Sequence, residues 1–583
     1  MPFQLSPGVV TTEIDLTTVI PAVSTTNGAF VGDFPWGPAN TIITIDSENT
    51  LAAVFGKPDN TSFISFLTAA SFLAYGNNLK IVRAINTGSR NSSANGTGLI
   101  IENDDDWFNR FRSTTTANSG WGNTNFLGVS SRYPGTLGNS IRVAYLPAGN
   151  SALFSSWAYA SFFDGAPGTS LYASSRGASN DEIHIAVVDA TGIISQAGTP
   201  AGTNAAGAVL ETFPNLSVAS DAKNSDGSTN FYVDVLAQRS NYIRWLAHPA
   251  NTNNWGTTAL NGVSYVGVGG LSAGVANGTT LSGGLYSSAS DANKQVAWDK
   301  FKNADEVDVS LLITGDASST VAQYVIDNIA EYRKDCVAFI SPTSANVVNN
   351  PGSEVSAITA QKNVNINRSS SYGVFDSGWK YMFDKYNNVY RWIPLNADIA
   401  GLCVRTDSTR DPWFSPAGFN RGQIKNAVKL SWNPNKTNRD DLYKVGVNAV
   451  CAFPGEGIVL FGDKTMQTKP SAFDRINVRR LFIVLEKAIA TAAKYSLFEF
   501  NDEFTRSQFV SLVDPFLRDV QGRRGIYDYR VVCDETNNTP EVIDRNEFIG
   551  DIYIKPARSI NFIQLNFVAV RTGVSFDEIV GRF

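Results

Sequence analysis

The chain is poor in the side chains that enzymes most often use for proton transfer and metal binding. Its 583 residues include two histidines, His184 and His248, and four cysteines that lie far apart. Histidine is the side chain whose charge changes most readily near neutral pH, and structural metal sites need closely spaced cysteine or histidine pairs. The composition therefore removes most of the usual catalytic and metal-binding options, and we expect no catalytic residue, no cofactor and no metal.

The chain also lacks a basic block and a long apolar run. Lys and Arg number 47 against 53 Asp and Glu, for a net charge of −6. Nucleic-acid binding needs clustered basic residues, so we expect no nucleic-acid partner. Charges such as Glu486 and Lys487 interrupt even the most apolar helix, which predicts no direct membrane insertion. The start Met1–Gln4 has no charged or apolar signal region, and we expect synthesis in a reducing cytoplasm.

A chain of this length is too long for one core and should form several domains. Residues 1–20 alternate apolar and polar side chains, which predicts an extended arm. Residues 21–350 predict an α/β domain, with a weakly apolar surface insertion near residues 90–128. Residues 351–583 predict a C-terminal α+β domain, so the fold class is multidomain α+β.

Several helices and strands are predicted from the pattern of apolar residues. An α/β unit is expected from a strand, a helix and a strand at Ala29–Phe34, Ser62–Tyr75 and Leu79–Ile85. A parallel βαβ unit is expected from Val307–Thr314, Ser319–Arg333 and Val337–Ile340. Further strands are expected at Glu182–Val188 and Phe231–Leu236. The C-terminal domain should contain a long helix after Ser471, a second helix over Thr505–Val520, and strands at Ile526–Cys533, Phe548–Lys555 and Ser559–Arg571.

Several motifs resemble catalytic or ligand-binding sites, but the residues around them do not support those functions. Gly270–Gly274 has the spacing of a serine nucleophile turn around Ser272, but both histidines precede it and no good helix follows. The segment Gly457–Gly462 resembles a phosphate-binding loop, yet its intervening residues are those of a buried strand. Asp104–Asp106 lacks the glycine and distal glutamate of a calcium loop and is interpreted as a solvated acidic patch. His184 is assigned to the outward face of a strand.

Both ends of the chain have strand character without a local partner, which favours pairing with another chain. An ordered series of short motifs resembles the contractile tail sheath proteins of myovirus-type bacteriophages. The motifs are Ser6–Val10, Ala29–Gly32, Gly37–Pro38, Tyr133–Gly135, Gly138–Asn139, Pro412–Gly418, Asn420–Gly422, Val445–Asn448, Phe453–Gly457, Asn477–Leu481, Phe498–Asp502 and Cys533–Asn538. The resemblance is dense from about residue 380 to the end and sparse between residues 90 and 300.

The resemblance implies a structural virion subunit with no active site. Sheath subunits form stacked hexameric rings in a helical polymer around a tail tube protein, meet baseplate and tail terminator proteins, and contract to drive the tube through the host envelope. By the same resemblance, residues 21–350 form an outer domain. Residues 351–583 form a polymerisation domain whose sheet is completed by strands from neighbouring subunits.

Residue roles follow from that resemblance together with the strand and helix patterns. For inter-subunit strand exchange we predict Val9, Val10, Thr12, Ile14, Phe562, Ile563, Leu565 and Phe567. For lattice or tube contact we predict Arg479, Arg480, Arg518, Arg523 and Arg524, with a solvated helix face as the alternative for each. Phe498, Phe500 and Trp413 are predicted to lie in the core.

Two other classes of function remain as alternatives. A hydrolase would need Ser272 and a histidine within its reach. A polar shell or adhesin-type protein of the virion surface would suit the Gly- and Asn-rich middle of the chain, but it has no use for the long helix and the C-terminal strands.

Overall fold

The computed structural model describes residues 24–112, 128–195, 207–248, 254–267, 278–561 and 564. Their contacts divide the chain into two compact units. In the described part, the first unit contains residues 413–415 and the chain from residue 489 onward, and the second contains residues 24–412 and 416–488.

Strands and helices alternate along much of the chain. The strands are β1 Gly28–Gly32, β2 Ile42–Ile45, β3 Leu79–Arg83, β4 Gly128–Ser131, β5 Ile141–Pro147, β6 Glu182–Asp189, β7 Ala208–Ser217, β8 Ile243–Ala247, β9 Thr279–Thr280, β10 Leu311–Ile313, β11 Val337–Ile340, β12 Gly373–Phe375, β13 Trp379–Asp384, β14 Val389–Pro394, β15 Lys429–Leu430, β16 Val450–Phe453, β17 Gly457–Leu460, β18 Ile526–Val532 and β19 Asp551–Pro556. The helices are α1 Glu48–Phe55, α2 Phe63–Leu73, α3 Asp104–Trp107, α4 Leu171–Ser174, α5 Tyr232–Arg239, α6 Asp291–Asp299, α7 Ser319–Tyr324, α8 Glu331–Arg333, α9 Ser344–Val347, α10 Glu354–Ala360, α11 Asn396–Thr409, α12 Lys436–Lys444, α13 Ile476–Ala493, α14 Glu503–Gly522 and α15 Pro540–Asp544.

A six-stranded sheet organises the second unit, in the order β12-β11-β10-β1-β3-β2. Its strands are parallel except β2, which is antiparallel to β3. This confirms both predicted α/β units, because β1 pairs with β3 across α2, and β10 pairs with β11 across the helix that begins at α7. The domain boundary predicted at residue 350 lies between β11 and β12 of this sheet, and the long segment of the first unit begins at Ile489.

The residues between β3 and α6 form a second body of strands on the same unit. It contains the four-stranded sheet β7-β6-β5-β9 and the pair β4-β8, over a core of its own. The part of the predicted surface insertion that the structure describes belongs to this core, because Trp107 and Ile101 are buried. Ser92 and Ser93 are also buried. Hydrogen bonds within the fold satisfy their polar atoms.

A buried arginine joins this body to the six-stranded sheet. Arg83, at the end of β3, donates to the carbonyl oxygens of Phe34, Gly37 and Pro134 at 2.8, 2.6 and 2.8 Å. Burial lowers the pKa of Arg83 to about 10, which leaves the guanidinium charged at neutral pH. The motifs around Gly37 and Pro134 are therefore structural, and they fix the loop after β1 to the turn before β5.

One predicted strand is a helix. Residues 232–239 form α5, and its buried side chains Tyr232, Val233 and Leu236 follow a helical spacing. The run Phe231–Leu236 is short and apolar, and periodicity alone does not separate a buried strand from a buried helix in such a run.

The first unit has a simpler architecture. The helix α14 packs against the two-stranded antiparallel sheet β18-β19, and α15 lies in the connection between the two strands. The predicted helix over Thr505–Val520 is confirmed as α14, which includes Pro515 within its length. Of the three predicted strands, the first two are confirmed, and residues 559–561 are not a strand.

Candidate strand-acceptor sheet

In the described part of the chain, the two-stranded sheet β18-β19 has open outer edges with which a strand of another chain can pair. Its two strands pair from Ile526 with Pro556 to Val532 with Asp551, and a bulge leaves Tyr527 out of the register. Within the described residues no third strand pairs with either outer edge. A two-stranded sheet is marginally stable by itself, and an open edge presents unpaired N–H and C=O groups to any suitable chain.

The helix α14 supports one side of this sheet. The hydroxyl of Tyr529 donates to the carbonyl oxygen of Asp514 at 3.1 Å, and the Gln521 amide donates to the carbonyl oxygen of Tyr527 at 2.9 Å. Ile526 is buried at the start of β18, whereas Tyr527 and Tyr553 are exposed. The sheet is therefore fixed in place while much of its polar and aromatic surface faces solvent.

Two asparagines hold the strand ends together. The Asn537 amide donates to the carbonyl oxygen of Val532 at 2.9 Å and to the Asp551 carboxylate at 3.1 Å. Asn538 is buried, donates to the carbonyl oxygen of Ile549 at 2.8 Å and accepts from the Ile549 N–H at 2.9 Å. The motif Cys533–Asn538 therefore fixes the long connection between β18 and β19.

The predicted strand-exchange residues lie outside the described residues. They are Val9, Val10, Thr12, Ile14, Phe562, Ile563, Leu565 and Phe567. Strand donation by these residues stays a prediction.

Three of the five predicted contact arginines are exposed in the first unit. Arg518 pairs with Asp514 at 2.7 Å on α14, and Arg523, directly after α14, pairs with Asp519 at 3.4 Å. Arg524 follows the helix with a φ of +68°. Exposed pairs of this kind add little stability, so these side chains are available to a partner molecule.

The other two predicted contact arginines are buried in the second unit. Arg479 donates to the hydroxyls of Ser371 and Tyr372 at 2.8 and 3.2 Å, and Arg480 lies 2.5 Å from the Asp407 carboxylate. Burial alone would lower the pKa of Arg480, but the Asp407 charge outweighs it and raises that pKa. Neither guanidinium lies on the surface, because the face of α13 that carries both is turned inward beside Leu481.

The three predicted core aromatics differ in their environments. Trp413 is buried, and its indole N–H donates to the carbonyl oxygen of Arg523 at 3.1 Å. Phe498 and Phe500, by contrast, are 105% and 83% exposed. Their aromatic character favoured a core assignment, but they lie in the segment between α13 and α14, where the anchoring groups are the polar residues Asn501 and Asp502.

Two side chains of the acidic patch Asp104–Asp106 form ion pairs with arginines. Asp104 contacts Arg132 and Arg244, and Asp106 pairs with Arg110 at 3.0 Å. Across the residues that the structure describes, no cluster of three or more His, Cys, Asp or Glu side chains could hold a metal ion. No helix in that part of the chain has the length and apolar character to cross a membrane.

His184 is buried, which corrects its assignment to an outward face. Its ring stacks on Phe163 with centroids 4.5 Å apart, accepts from the Asn215 N–H at 3.1 Å and donates from Nε2 to the carbonyl oxygen of Gly165 at 2.8 Å. Burial lowers its pKa. The segment Gly457–Gly462 contains the strand β17, as predicted, and Ser272 lies outside the described residues.

Sequence reasoning missed a buried polar network under the six-stranded sheet. Lys380 on β13 contacts Asp398 on α11, and the Ser341 hydroxyl donates to the Asp376 carboxylate at 2.5 Å. The Ser341 hydroxyl also accepts from the Asn396 N–H at 2.9 Å. The only signal in the sequence was the presence of charges inside otherwise apolar segments, such as Lys380 beside Trp379 and Asp398 beside Ile399.

Comparison with known proteins identifies related chains over almost the whole length. Three family models match: the N-terminal region of domain III of the tail sheath protein Gp18 over residues 28–84, the phage tail sheath protein central domain over residues 255–466, and the phage tail sheath C-terminal domain over residues 468–569.

Curated relatives and a solved structure agree with these matches. A tail sheath protein of Vibrio phage KVP40 is 35% identical, in an alignment that covers 99% of this chain and 100% of the relative. A tail sheath protein of Enterobacteria phage T4 is 36% identical, in an alignment that covers 99% of each chain. A crystal structure of a sheath tail protein from Listeria innocua shares the fold with a TM-score of 0.51 at 12% identity, over 92% of this chain and 96% of that one.

Proposed function

Since this chain belongs to the phage tail sheath family, we propose that its subunits assemble as stacked hexameric rings in a helical array around the inner tail tube. The protein is a structural component of the virion tail. Contraction of the array drives the tube through the host envelope, and the subunit contributes no chemical step. The partners are further copies of the chain, the tail tube protein, and the baseplate and terminator proteins at the two ends of the tail.

The observation that carries this proposal is the open two-stranded sheet β18-β19. A third and a fourth strand from neighbouring subunits would pair with its outer edges and supply main-chain hydrogen bonds, with alternate side chains setting the register. The residues Val9, Val10, Thr12 and Ile14 of one neighbour, and Phe562, Ile563, Leu565 and Phe567 of another, are the strands that we assign to these edges.

Donated strands suit a polymer that must change shape without coming apart. In this assembly each subunit is tied to its neighbours through backbone hydrogen bonds of a terminal segment rather than through side-chain contacts alone. Contacts between different faces of identical subunits generate open helical polymers. The domains can therefore move relative to neighbouring subunits during contraction while the paired strands stay in place.

The test removes the donated arm. A chain lacking residues 1–15 is expected to stay folded and monomeric, whereas the full chain forms striated hollow tubes in negative-stain electron microscopy. A finer variant carries Val10→Pro and Thr12→Pro, because proline has no N–H to donate to a neighbouring strand. Its matched control is Val10→Thr, which keeps the N–H and should assemble normally.

Tubes formed by the shortened chain at the level of the full chain would refute strand donation by the arm. Equal assembly of the proline variant and its control would refute the backbone pairing that we assign to the arm.

A further inference from the structure

The segment between α13 and α14 presents a concentrated set of apolar side chains to solvent. Large side chains that are 64–105% exposed lie in this segment and at the start of α14: Tyr495, Leu497, Phe498, Phe500 and Phe504. We name these five residues the aromatic surface. An aromatic side chain buries roughly 150–250 Å² when it is covered, so the four rings approach the area of about 800 Å² that one side of a standard protein interface covers.

The backbone that carries the aromatic surface is held in place. Phe498 has a φ of +72°, a left-handed conformation that a bulky residue adopts only when its surroundings impose it. Asn501 donates to the carbonyl oxygen of Glu547 at 2.8 Å, and Asp502 caps α14 by accepting from the Thr505 N–H at 2.8 Å. Arg506 in turn donates to the Asn501 side-chain oxygen at 3.0 Å.

A surface that is ordered before binding loses little conformational entropy when a partner covers it. The charged residues Lys494, Glu499 and Glu503 are sequence neighbours of the rings, and protein interfaces commonly combine aromatic side chains with charged residues at their edges. Soluble monomers rarely leave apolar patches of this size uncovered. These features indicate a protein partner with an apolar face.

We propose that the aromatic surface docks on a second copy of this chain within the assembled sheath. The proposal rests on the proposed function, because it uses the difference between the two partners of a contracting sheath. A sheath that contracts must release its tube in every ring, and each release would expose the apolar area to water at a cost proportional to that area. In the assembly proposed above, the contacts between sheath copies persist through contraction, so we assign a large aromatic contact to a second copy and not to the tube.

A thiol placed in the aromatic surface reports which partner covers it. All four native cysteines are buried, so Phe498→Cys supplies an exposed thiol for labelling with a maleimide. The matched control is Leu171→Cys, which replaces a side chain that is 89% exposed on α4. Labelling rates are compared between the monomer and tube-free polymer, which is assembled from the chain alone or recovered from contracted sheath after the tube has left.

The thiol at position 498 is expected to react at least tenfold more slowly in tube-free polymer than in the monomer, while the thiol at position 171 keeps its monomer rate in the same polymer. Protection at position 498 that appears only with bound tube protein, or that never appears, would overturn the assignment to a second copy.

A double variant tests the energetic contribution. Phe498→Asn with Phe500→Ser removes both rings, and asparagine tolerates the left-handed backbone at position 498. The concentration needed for polymerisation should rise more than about tenfold, as expected for interface anchors, with the melting temperature of the monomer unchanged. Leu171→Ser is the control and should polymerise at the concentration of the unaltered chain.

The outcomes separate this inference from strand donation. Protection of the thiol at position 498, combined with normal assembly of the chain lacking residues 1–15, would uphold the aromatic contact and refute the donated arm. Normal polymerisation of the double variant would refute the aromatic contact and leave strand donation standing.

Discussion

The ammonium group of Lys380 lies 2.8 Å from Oδ2 of Asp398, and neither side chain is exposed to solvent. Lys380 projects from β13, and Asp398 lies in the first turn of α11. The Tyr75 hydroxyl donates to the same carboxylate at 3.2 Å, and the Lys380 ammonium also donates to the carbonyl oxygen of Lys425 at 3.3 Å. The pair therefore ties a strand, a helix and two loops of the second unit together.

Removal of one partner should leave an uncompensated buried charge. We expect Lys380→Met to lower the free energy of unfolding by about 3–5 kcal/mol, measured by urea denaturation. The double variant Lys380→Met with Asp398→Leu removes both charges and should recover most of that loss. If the single and double variants are equally unstable, the ion pair is not the source of the effect.

The carboxyl group of Asp376 should make stability depend on pH. Burial raises its pKa to about 8, although Ser341 and Gly378 donate hydrogen bonds to it. The unfolded chain releases this proton near its ordinary pKa of about 3.9, while the folded chain keeps it. The contribution of this group to the free energy of unfolding therefore falls as pH rises between about 4 and 8, by about 1.4 kcal/mol per pH unit.

Asp376→Asn should remove that slope and leave the variant more stable than the unaltered chain at pH 8. Urea denaturation at pH 5 and pH 8 measures both effects. Parallel pH profiles for the two proteins would contradict the assignment of the slope to this carboxyl group.

The asparagine that closes the β18-β19 connection should be needed for the acceptor sheet. Asn538→Ala leaves the backbone groups of Ile549 without their partners, and we expect a loss of about 1–3 kcal/mol. Hydrogen exchange measured by mass spectrometry should show faster exchange in residues 526–556, while the six-stranded sheet keeps its protection. Glu535→Ala changes an exposed side chain in the same connection and should leave exchange unaltered.

The exposed arginines of α14 should affect assembly and not folding. Arg518→Glu and Arg523→Glu each break an exposed ion pair, which changes stability by less than about 1 kcal/mol. If these side chains face a neighbouring subunit or the tube, as we predict, the double variant should polymerise only at higher protein concentration. Light scattering across protein concentrations measures this, and the control is Lys444→Glu, an exposed charge of the second unit. Assembly indistinguishable from the control would return these arginines to a solvated helix face.

Secondary structure was predicted correctly where a helical hydrophobic pattern extended over many residues or where a strand was fully apolar. The strand β11 was predicted residue for residue, and both ends of α14 were predicted within two residues. The long helix predicted after Ser471 is α13, which begins at Ile476. The wrong assignments of individual side chains share one physical origin, because the local pattern does not reveal which residues lie across a contact. Arg479 and Arg480 look like surface charges until Ser371 and Asp407 are placed beside them, and His184 looks outward until Phe163 covers it.

The candidate site could be predicted only in part, for the same reason. The strands β18 and β19 were predicted from alternation, but the positions of Asn537 and Asn538 at both strand ends depend on contacts across residues 532–551. Phe498 and Phe500 were predicted to be buried but are exposed. The sequence alone does not distinguish an aromatic side chain that another molecule covers from one that its own chain covers.

The burial of all four cysteines has a consequence for the life of the virion outside the cell. Burial raises the pKa of the thiols of Cys403 and Cys451 to about 11, and it also raises the pKa values of Cys336 and Cys533. Oxidants attack the thiolate form, which is scarce at these sites near neutral pH. A tail in aerated medium therefore carries no ready substrate for disulfide formation at these four positions.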